Sequence, residues 1–70
     1  MKTNTALTTA AYTVDGFCSA HGIGRNLLYR EWKEGRGPRY FNIGRRRLIS
    51  AEAAADYRRQ LEQEVEREMA

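Results

Sequence analysis

The chain has few of the residues from which disulfide-rich, membrane-spanning or catalytic proteins are built. Cys18 is the only cysteine among 70 residues, so no disulfide can form within the chain, and we expect a reducing cytoplasm. The amino terminus, MKTNTALTTAA, lacks the continuous apolar stretch that a signal peptide or a membrane span requires. We therefore predict that residues 1–11 form a flexible leader.

A chain of this length forms one small domain with little room for a buried active site. His21 is the only histidine, and the sequence places no nucleophile beside it. His21 and Cys18 fall on one predicted helical face, but a structural zinc site needs four ligands, and the chain has no other cysteine or histidine. We expect no enzymatic activity, no metal and no cofactor.

Basic residues are concentrated in the middle of the chain. Residues 25–49 contain eight Arg or Lys and two Glu, a net charge of +6, whereas residues 50–70 carry −3. Such asymmetry is typical of nucleic-acid binding, although ordinary solvated faces also show it. The consecutive Arg45, Arg46 and Arg47 repel one another unless an anion lies beside them; the alternative is a solvated loop.

Two short helices joined by a tight turn are predicted next. The first spans residues 14–21, with Thr13 as its N-cap and Gly22 at its end. The second spans residues 25–34, with Leu28 and Trp32 turned inward. This order predicts a helix-turn-helix. The polar, basic face of the second helix carries Asn26, Tyr29, Arg30 and Lys33, with Arg25 in the first turn.

A β-hairpin and a third helix complete the prediction. Pro38 cannot lie inside a helix, and residues 39–49 are predicted to form the hairpin, with the three arginines at its turn. Ser50 is then the N-cap of a helix over residues 51–66. We expect the core to include Phe17, Leu28, Trp32, Ile43 and Ile49.

An apolar stripe runs along the third helix and comprises Ala54, Tyr57, Leu61, Val65 and Met69. Tyr57 and Leu61 are expected to pack on the body of the domain. Val65 and Met69 extend too far for so small a body, so they either contact a partner or belong to a frayed, monomeric helix end.

The segment YTVDGFCSAHGIGRNLLYREWKEGRGPRYFNIGRRRLIS resembles the small excisionase-like and AlpA-like DNA-binding proteins, which are relatives of the MerR-type helix-turn-helix. The most specific parts are GIGRNLLYR…KEG and GRGPR…IGRRRLIS. The resemblance implies a mainly α fold with a short β-hairpin, a winged helix-turn-helix. It implies a DNA-binding domain over residues 12–61 and a C-terminal helix extension over residues 62–70.

The resemblance also implies the roles of individual residues. Arg25, Asn26, Tyr29, Arg30 and Lys33 match the recognition helix that enters the major groove, and Arg45, Arg46 and Arg47 match the tip of the wing. Four positions depart from the pattern: Gly16 replaces a helix former, Gly24 a Ser or Thr, Leu27 a small polar residue and Glu31 an apolar one.

These features predict a sequence-specific double-stranded DNA-binding protein. The role implied is that of an excisionase (recombination directionality factor) or of a small transcriptional regulator of a phage or integrative element. The C-terminal helix is expected to support self-association on DNA or contact with an integrase or recombinase, without membrane contact. The alternative is a protein-interaction module whose basic middle binds an acidic protein.

Overall fold

Residues 9–69, the part of the chain that the computed structural model describes, form three helices and a three-stranded antiparallel sheet, and most of them are helical. In chain order the elements are β1 (Ala11–Thr13), α1 (Val14–His21), α2 (Arg25–Lys33), β2 (Phe41–Ile43), β3 (Arg46–Ser50) and α3 (Ala51–Met69). The three predicted helices and the hairpin are confirmed. Helix α3 continues to Met69, three residues beyond the predicted end.

The helix ends follow the capping rules that the sequence suggested. The Thr13 hydroxyl accepts a hydrogen bond from the Gly16 N–H at 2.9 Å, and the Ser50 hydroxyl accepts one from the Ala53 N–H at 3.0 Å. Gly22 ends α1 with φ of +68°, a left-handed conformation that glycine adopts without strain. Gly24, the N-cap of α2, contributes no side-chain hydrogen bond.

The sheet has one strand more than the sequence predicted. Strand β1 pairs antiparallel with β3, so that Ala11 lies opposite Ser50, and the order across the sheet is β1-β3-β2. Residues 1–8 of the predicted leader lie outside the described residues, whereas Ala11, its last residue, belongs to this strand. The backbone pairing extends one residue before β1, because the Ala10 carbonyl accepts a hydrogen bond from the Ala51 N–H at 2.8 Å.

The core lies where α1, α2, β3 and α3 meet. Its buried members are Val14, Phe17, Cys18, Leu28, Ile49, Ala53, Ala54 and Tyr57. Of the predicted core residues, Trp32 is only partly buried and packs against this cluster. The prediction that Ile43 lies in the core is wrong, because its side chain is 61% exposed. Ile43 pairs with Arg46, and successive strand residues face opposite sides of the sheet. Ile43 and Arg46 therefore share the face that does not carry the buried Ile49.

Helix α3 extends past the core. Tyr57 is buried and Leu61 is partly buried, whereas Val65 and Met69 are 54% and 81% exposed. Across residues 9–69, no helix combines the length and the apolar character needed to cross a membrane.

Candidate nucleic-acid interface

The exposed surface of α2 is divided into three strips by the helical repeat. One strip faces the hairpin and consists of Arg25, Tyr29 and Trp32. The second points away from the body and consists of Asn26, Arg30 and Lys33, all exposed. The third, Leu27 and Glu31, faces α3. The residues predicted for DNA binding on α2 therefore lie on two adjacent strips.

A groove of about 350 Å³ separates the start of α1 and the first strip of α2 from the hairpin. Five of the eight predicted site residues line it: Arg25, Tyr29, Arg45, Arg46 and Arg47. Thr13, Val14, Asp15 and Asn42 complete its lining. The outward strip, with Asn26, Arg30 and Lys33, is exposed and does not line this groove.

The three consecutive arginines are separated by the geometry of the hairpin. The turn consists of Gly44 and Arg45, since Ile43 pairs with Arg46 across it, and Gly44 has φ of +58°. Arg46 and Arg47 are the first two residues of β3, so their side chains lie on opposite faces. Arg47 shares the face of the buried Ile49.

Arg47 lies among three aromatic rings. The guanidinium carbon is 4.1 Å from the ring centroid of Tyr40, 4.8 Å from that of Trp32 and 5.7 Å from that of Tyr29. The sequence prediction missed this role for Trp32 and Tyr40. The sequence prediction turned Trp32 inward and placed Tyr29 on the opposite, polar face, and only the fold brings Tyr40 and Arg47 to both rings.

The charges are sorted across the molecule. Arg36 pairs with Glu31 and Glu64, while Arg39 and Arg59 pair with Asp56, so acidic side chains neutralise three of the arginines near α3. Within residues 9–69, these pairs and that of Arg25 with Asp15 are the only ones closer than 4.0 Å. Arg58 and Arg67 on α3 have no carboxylate within 4.0 Å among the described residues. The remaining basic groups at the candidate interface carry uncompensated charge: Arg30, Lys33, Arg45, Arg46 and Arg47.

Arg25 differs from the other basic residues of α2. Its guanidinium donates a hydrogen bond to the Asp15 carboxylate on α1, and this bond together with the carboxylate's charge raises the pKa of Arg25. Its guanidinium carbon also lies 5.6 Å from the Tyr29 ring centroid. Arg25 therefore joins α1 to α2 across their tight connection while it lines the groove.

A hydrogen-bonded network fixes the opposite side of α2 to α3. The Tyr57 hydroxyl donates to Glu31 Oε1 at 3.0 Å, and Arg36 Nε lies 3.5 Å from Glu31 Oε2. Burial, followed by the hydrogen bond and the charge of Glu31, raises the pKa of Tyr57 to about 12. This network gives the Glu31 carboxylate two polar partners, Tyr57 and Arg36.

Cys18 and His21 are held by packing and hydrogen bonds within the domain. Cys18 is buried, and the His21 ring stacks on Phe17 with centroids 4.0 Å apart. The Phe17 carbonyl can only accept, so His21 Nδ1 donates to it at 2.9 Å, and Nε2 accepts from Arg58 at 2.9 Å. In the described part of the chain, no three His, Cys, Asp or Glu side chains converge on a possible metal position.

Comparison with protein-family models, curated proteins and solved structures found no match to this chain.

Proposed function

We propose that the protein is a sequence-specific double-stranded DNA-binding protein with a winged helix-turn-helix architecture. Helices α1 and α2 form the helix-turn-helix, and the β2–β3 hairpin forms the wing. The observation that carries the proposal is the distribution of charge: within residues 9–69, five basic groups on α2 and the hairpin lack a carboxylate within 4.0 Å, whereas three of the arginines near α3 have one. A polyanion that spans both elements would compensate this surface.

The outward strip of α2 is suited to the major groove. A helix fits that groove, where an asparagine pairs with adenine through two hydrogen bonds and an arginine pairs with guanine. Asn26 and Arg30 are one helical turn apart on this strip and exposed, so they are the proposed base-reading residues. Lys33 continues the strip by one more turn and is the proposed phosphate contact.

The hairpin is suited to the minor groove and the phosphates beside it. Arg45 occupies the two-residue turn, and Arg46 follows it on the exposed face of β3. Arginines enter narrow minor grooves because the negative potential is strongest there. With α2 in the major groove, the hairpin would extend along the duplex to the adjacent backbone.

Two biological roles use this architecture: excisionase (recombination directionality factor), or small transcriptional regulator of a phage or integrative element. Both act in the cytoplasm that the single cysteine suggested. We propose that the exposed Val65 and Met69 on α3 contact either a second copy on adjacent DNA or an integrase or recombinase.

The test begins with selection of bound fragments from the source genome, which yields a preferred site. Fluorescence anisotropy then compares this site with a scrambled duplex. For about four phosphate contacts, affinity should fall about 100-fold between about 50 and about 200 mM salt. Association independent of salt would contradict the proposal and favour the alternative, a module that binds an acidic protein.

Arg30→Ala tests whether α2 reads sequence. It should cost about 1 to 3 kcal/mol on the preferred site and flatten the preference between preferred and scrambled DNA. Arg59→Ala is the matched control, because Arg59 is equally an exposed arginine but pairs with Asp56 on α3. Equal losses on both duplexes for Arg30→Ala would show that α2 does not read bases.

A further inference from the structure

We propose that Arg47 is a positioning residue that holds the β2–β3 hairpin against α2, whereas Arg45 and Arg46 supply the hairpin's DNA contacts. The consequence for DNA rests on the proposed function; the intramolecular role does not. Together, Tyr29, Trp32 and Tyr40 form a three-sided aromatic box around the guanidinium of Arg47.

The rings of the box support one another. The Tyr29 and Trp32 centroids are 5.3 Å apart with an interplanar angle of 73°, and those of Trp32 and Tyr40 are 5.0 Å apart at 61°. Both pairs have the edge-to-face arrangement that aromatic rings prefer. All three distances to the Arg47 guanidinium carbon, 4.1, 4.8 and 5.7 Å, fall within the roughly 6 Å reach of a cation–π contact.

The box joins three separate parts of the chain. Tyr29 and Trp32 belong to α2, Tyr40 to the segment before β2, and Arg47 to β3. Trp32 is anchored in turn, because its Nε1–H donates to the Pro38 carbonyl at 2.7 Å. Removing the guanidinium would therefore release the hairpin from α2 on the side where the two elements face the groove.

Within residues 9–69, no aromatic ring makes such a contact with Arg45 or Arg46. Among the residues that the structure describes, the cation–ring contacts involve Arg25 and Arg47, and both Arg45 and Arg46 are exposed. Arg47 is only partly exposed, and its guanidinium already lies within about 6 Å of three ring centroids. Three neighbouring residues of one type thus have two different roles.

A fixed hairpin matters for binding because α2 and the hairpin would contact one duplex at two places. When both contacts are held at the right separation before binding, less conformational freedom is lost on association. Loosening the hairpin should therefore lower affinity without removing a phosphate contact. This separates a positioning residue from a phosphate contact, whose loss also lowers the salt dependence.

The first measurements use the free protein. Trp32 is the only tryptophan, so its fluorescence reports on the box. Arg47→Gln should shift the Trp32 emission and raise amide hydrogen exchange in β2 and β3, whereas the matched Arg46→Gln should change neither. An unchanged emission and unchanged exchange in Arg47→Gln would overturn the proposal whether or not the protein binds DNA.

The second measurements use the preferred duplex. Arg47→Gln should weaken binding about tenfold with an unchanged slope of log affinity against log salt, whereas Arg46→Gln should reduce that slope by about 0.9. Arg47→Lys keeps the charge but loses the flat guanidinium, so it should resemble Arg47→Gln. Wild-type affinity in Arg47→Lys, or a slope reduced by about 0.9 in Arg47→Gln, would identify Arg47 as a phosphate contact and overturn the proposal.

Tyr40→Leu provides a second variant in case Arg47→Gln fails to fold. It removes the nearest ring and leaves every arginine in place. It should shift the Trp32 emission and weaken DNA binding severalfold with the salt slope unchanged. If Tyr40→Leu binds DNA as tightly as the wild type does, the box does not position the hairpin. If the wild type shows no salt-dependent DNA binding, the proposed function fails separately.

Discussion

The hydroxyl of Tyr57 donates a hydrogen bond to Glu31 Oε1 at 3.0 Å and thereby joins α3 to α2. Glu31 also lies 3.5 Å from Arg36, which in turn lies 3.4 Å from Glu64 on α3. The face of α2 that points away from the proposed DNA surface is therefore tied to α3 by a polar network. This contact sets the orientation of α2 relative to the longest helix.

The first prediction concerns stability at alkaline pH. The folded protein raises the pKa of Tyr57 from 10.0 to about 12, so the folded state holds the phenolic proton more tightly than the unfolded state does. The contribution of the protonated Tyr57 to the free energy of unfolding is fully present below pH ~10 and is lost as the pH rises toward ~12. Because the hydrogen bond is only partly buried, we expect a loss of about 1 to 2 kcal/mol.

Urea unfolding of the wild type and of Tyr57→Phe at pH values from about 8 to about 11.5 measures this effect. The phenylalanine variant cannot titrate, so the difference between the two free energies of unfolding should narrow as the pH rises. A constant difference across this range would show that Tyr57 does not couple folding to pH.

Local chemistry predicted the helices well because their ends are decided by adjacent residues. The Thr13 and Ser50 hydroxyls and the left-handed Gly22 act within a few residues of their own positions. Strand β1 was missed for the opposite reason. Its residues, Ala11–Thr13, are placed by pairing with β3, and a three-residue strand without apolar alternation carries no local signal of that distant partner.

The second prediction concerns the close approach of Gly37 to Trp32. A Cβ added at Gly37 would overlap Trp32 Cδ1 and lie 2.8 Å from Trp32 Nε1. Gly37→Ala should therefore displace the indole and cost about 1 to 3 kcal/mol of stability. Thermal unfolding measures the cost. Equal stability of Gly37→Ala and the wild type would show that the segment moves away freely.

The exposure of the basic residues on α2 was predictable from the sequence, but the arrangement of the hairpin arginines was not. Helical periodicity was sufficient to place Asn26, Arg30 and Lys33 on one exposed strip. Which of Arg46 and Arg47 shares the face of Ile49 depends on the exact length of the turn, because a shift of one residue reverses the faces of a strand. The contact of Arg47 with Tyr40 also requires the segment after α2 to fold back on Trp32, and no local pattern indicates this.

The third prediction compares two isoleucines of the hairpin. Ile49 on β3 is fully buried, whereas Ile43 on β2 is 61% exposed. Ile49→Ala should cost about 2 to 5 kcal/mol, since it removes apolar contacts and leaves a cavity. Ile43→Ala should cost less than about 1 kcal/mol. Chemical denaturation of both variants measures the contrast, and similar costs would mean that Ile43 is covered in solution.

The last prediction concerns the end of α3. Val65 and Met69 are exposed on the stripe that also carries the buried Tyr57, and residues 62–70 contain four glutamates and one arginine. Because phosphates repel an acidic segment, we expect residues 62–70 to lie away from the DNA. Deleting them should therefore leave affinity for a single DNA site nearly unchanged. The deletion removes the Arg36–Glu64 pair, but exposed pairs of this kind contribute only about 0 to 1 kcal/mol.

The same deletion should abolish cooperative occupancy of tandem sites, or recruitment of a recombinase, because it removes the apolar side chains that a neighbour would cover. Gel shifts on one-site and two-site duplexes separate the two effects. The double variant Val65→Ser, Met69→Ser is the sharper test, since it keeps the charge of the helix and should have the same effect as the deletion. If both proteins still fill tandem sites cooperatively and still recruit the recombinase, Val65 and Met69 belong to a solvated helix end, and the partner contact lies elsewhere.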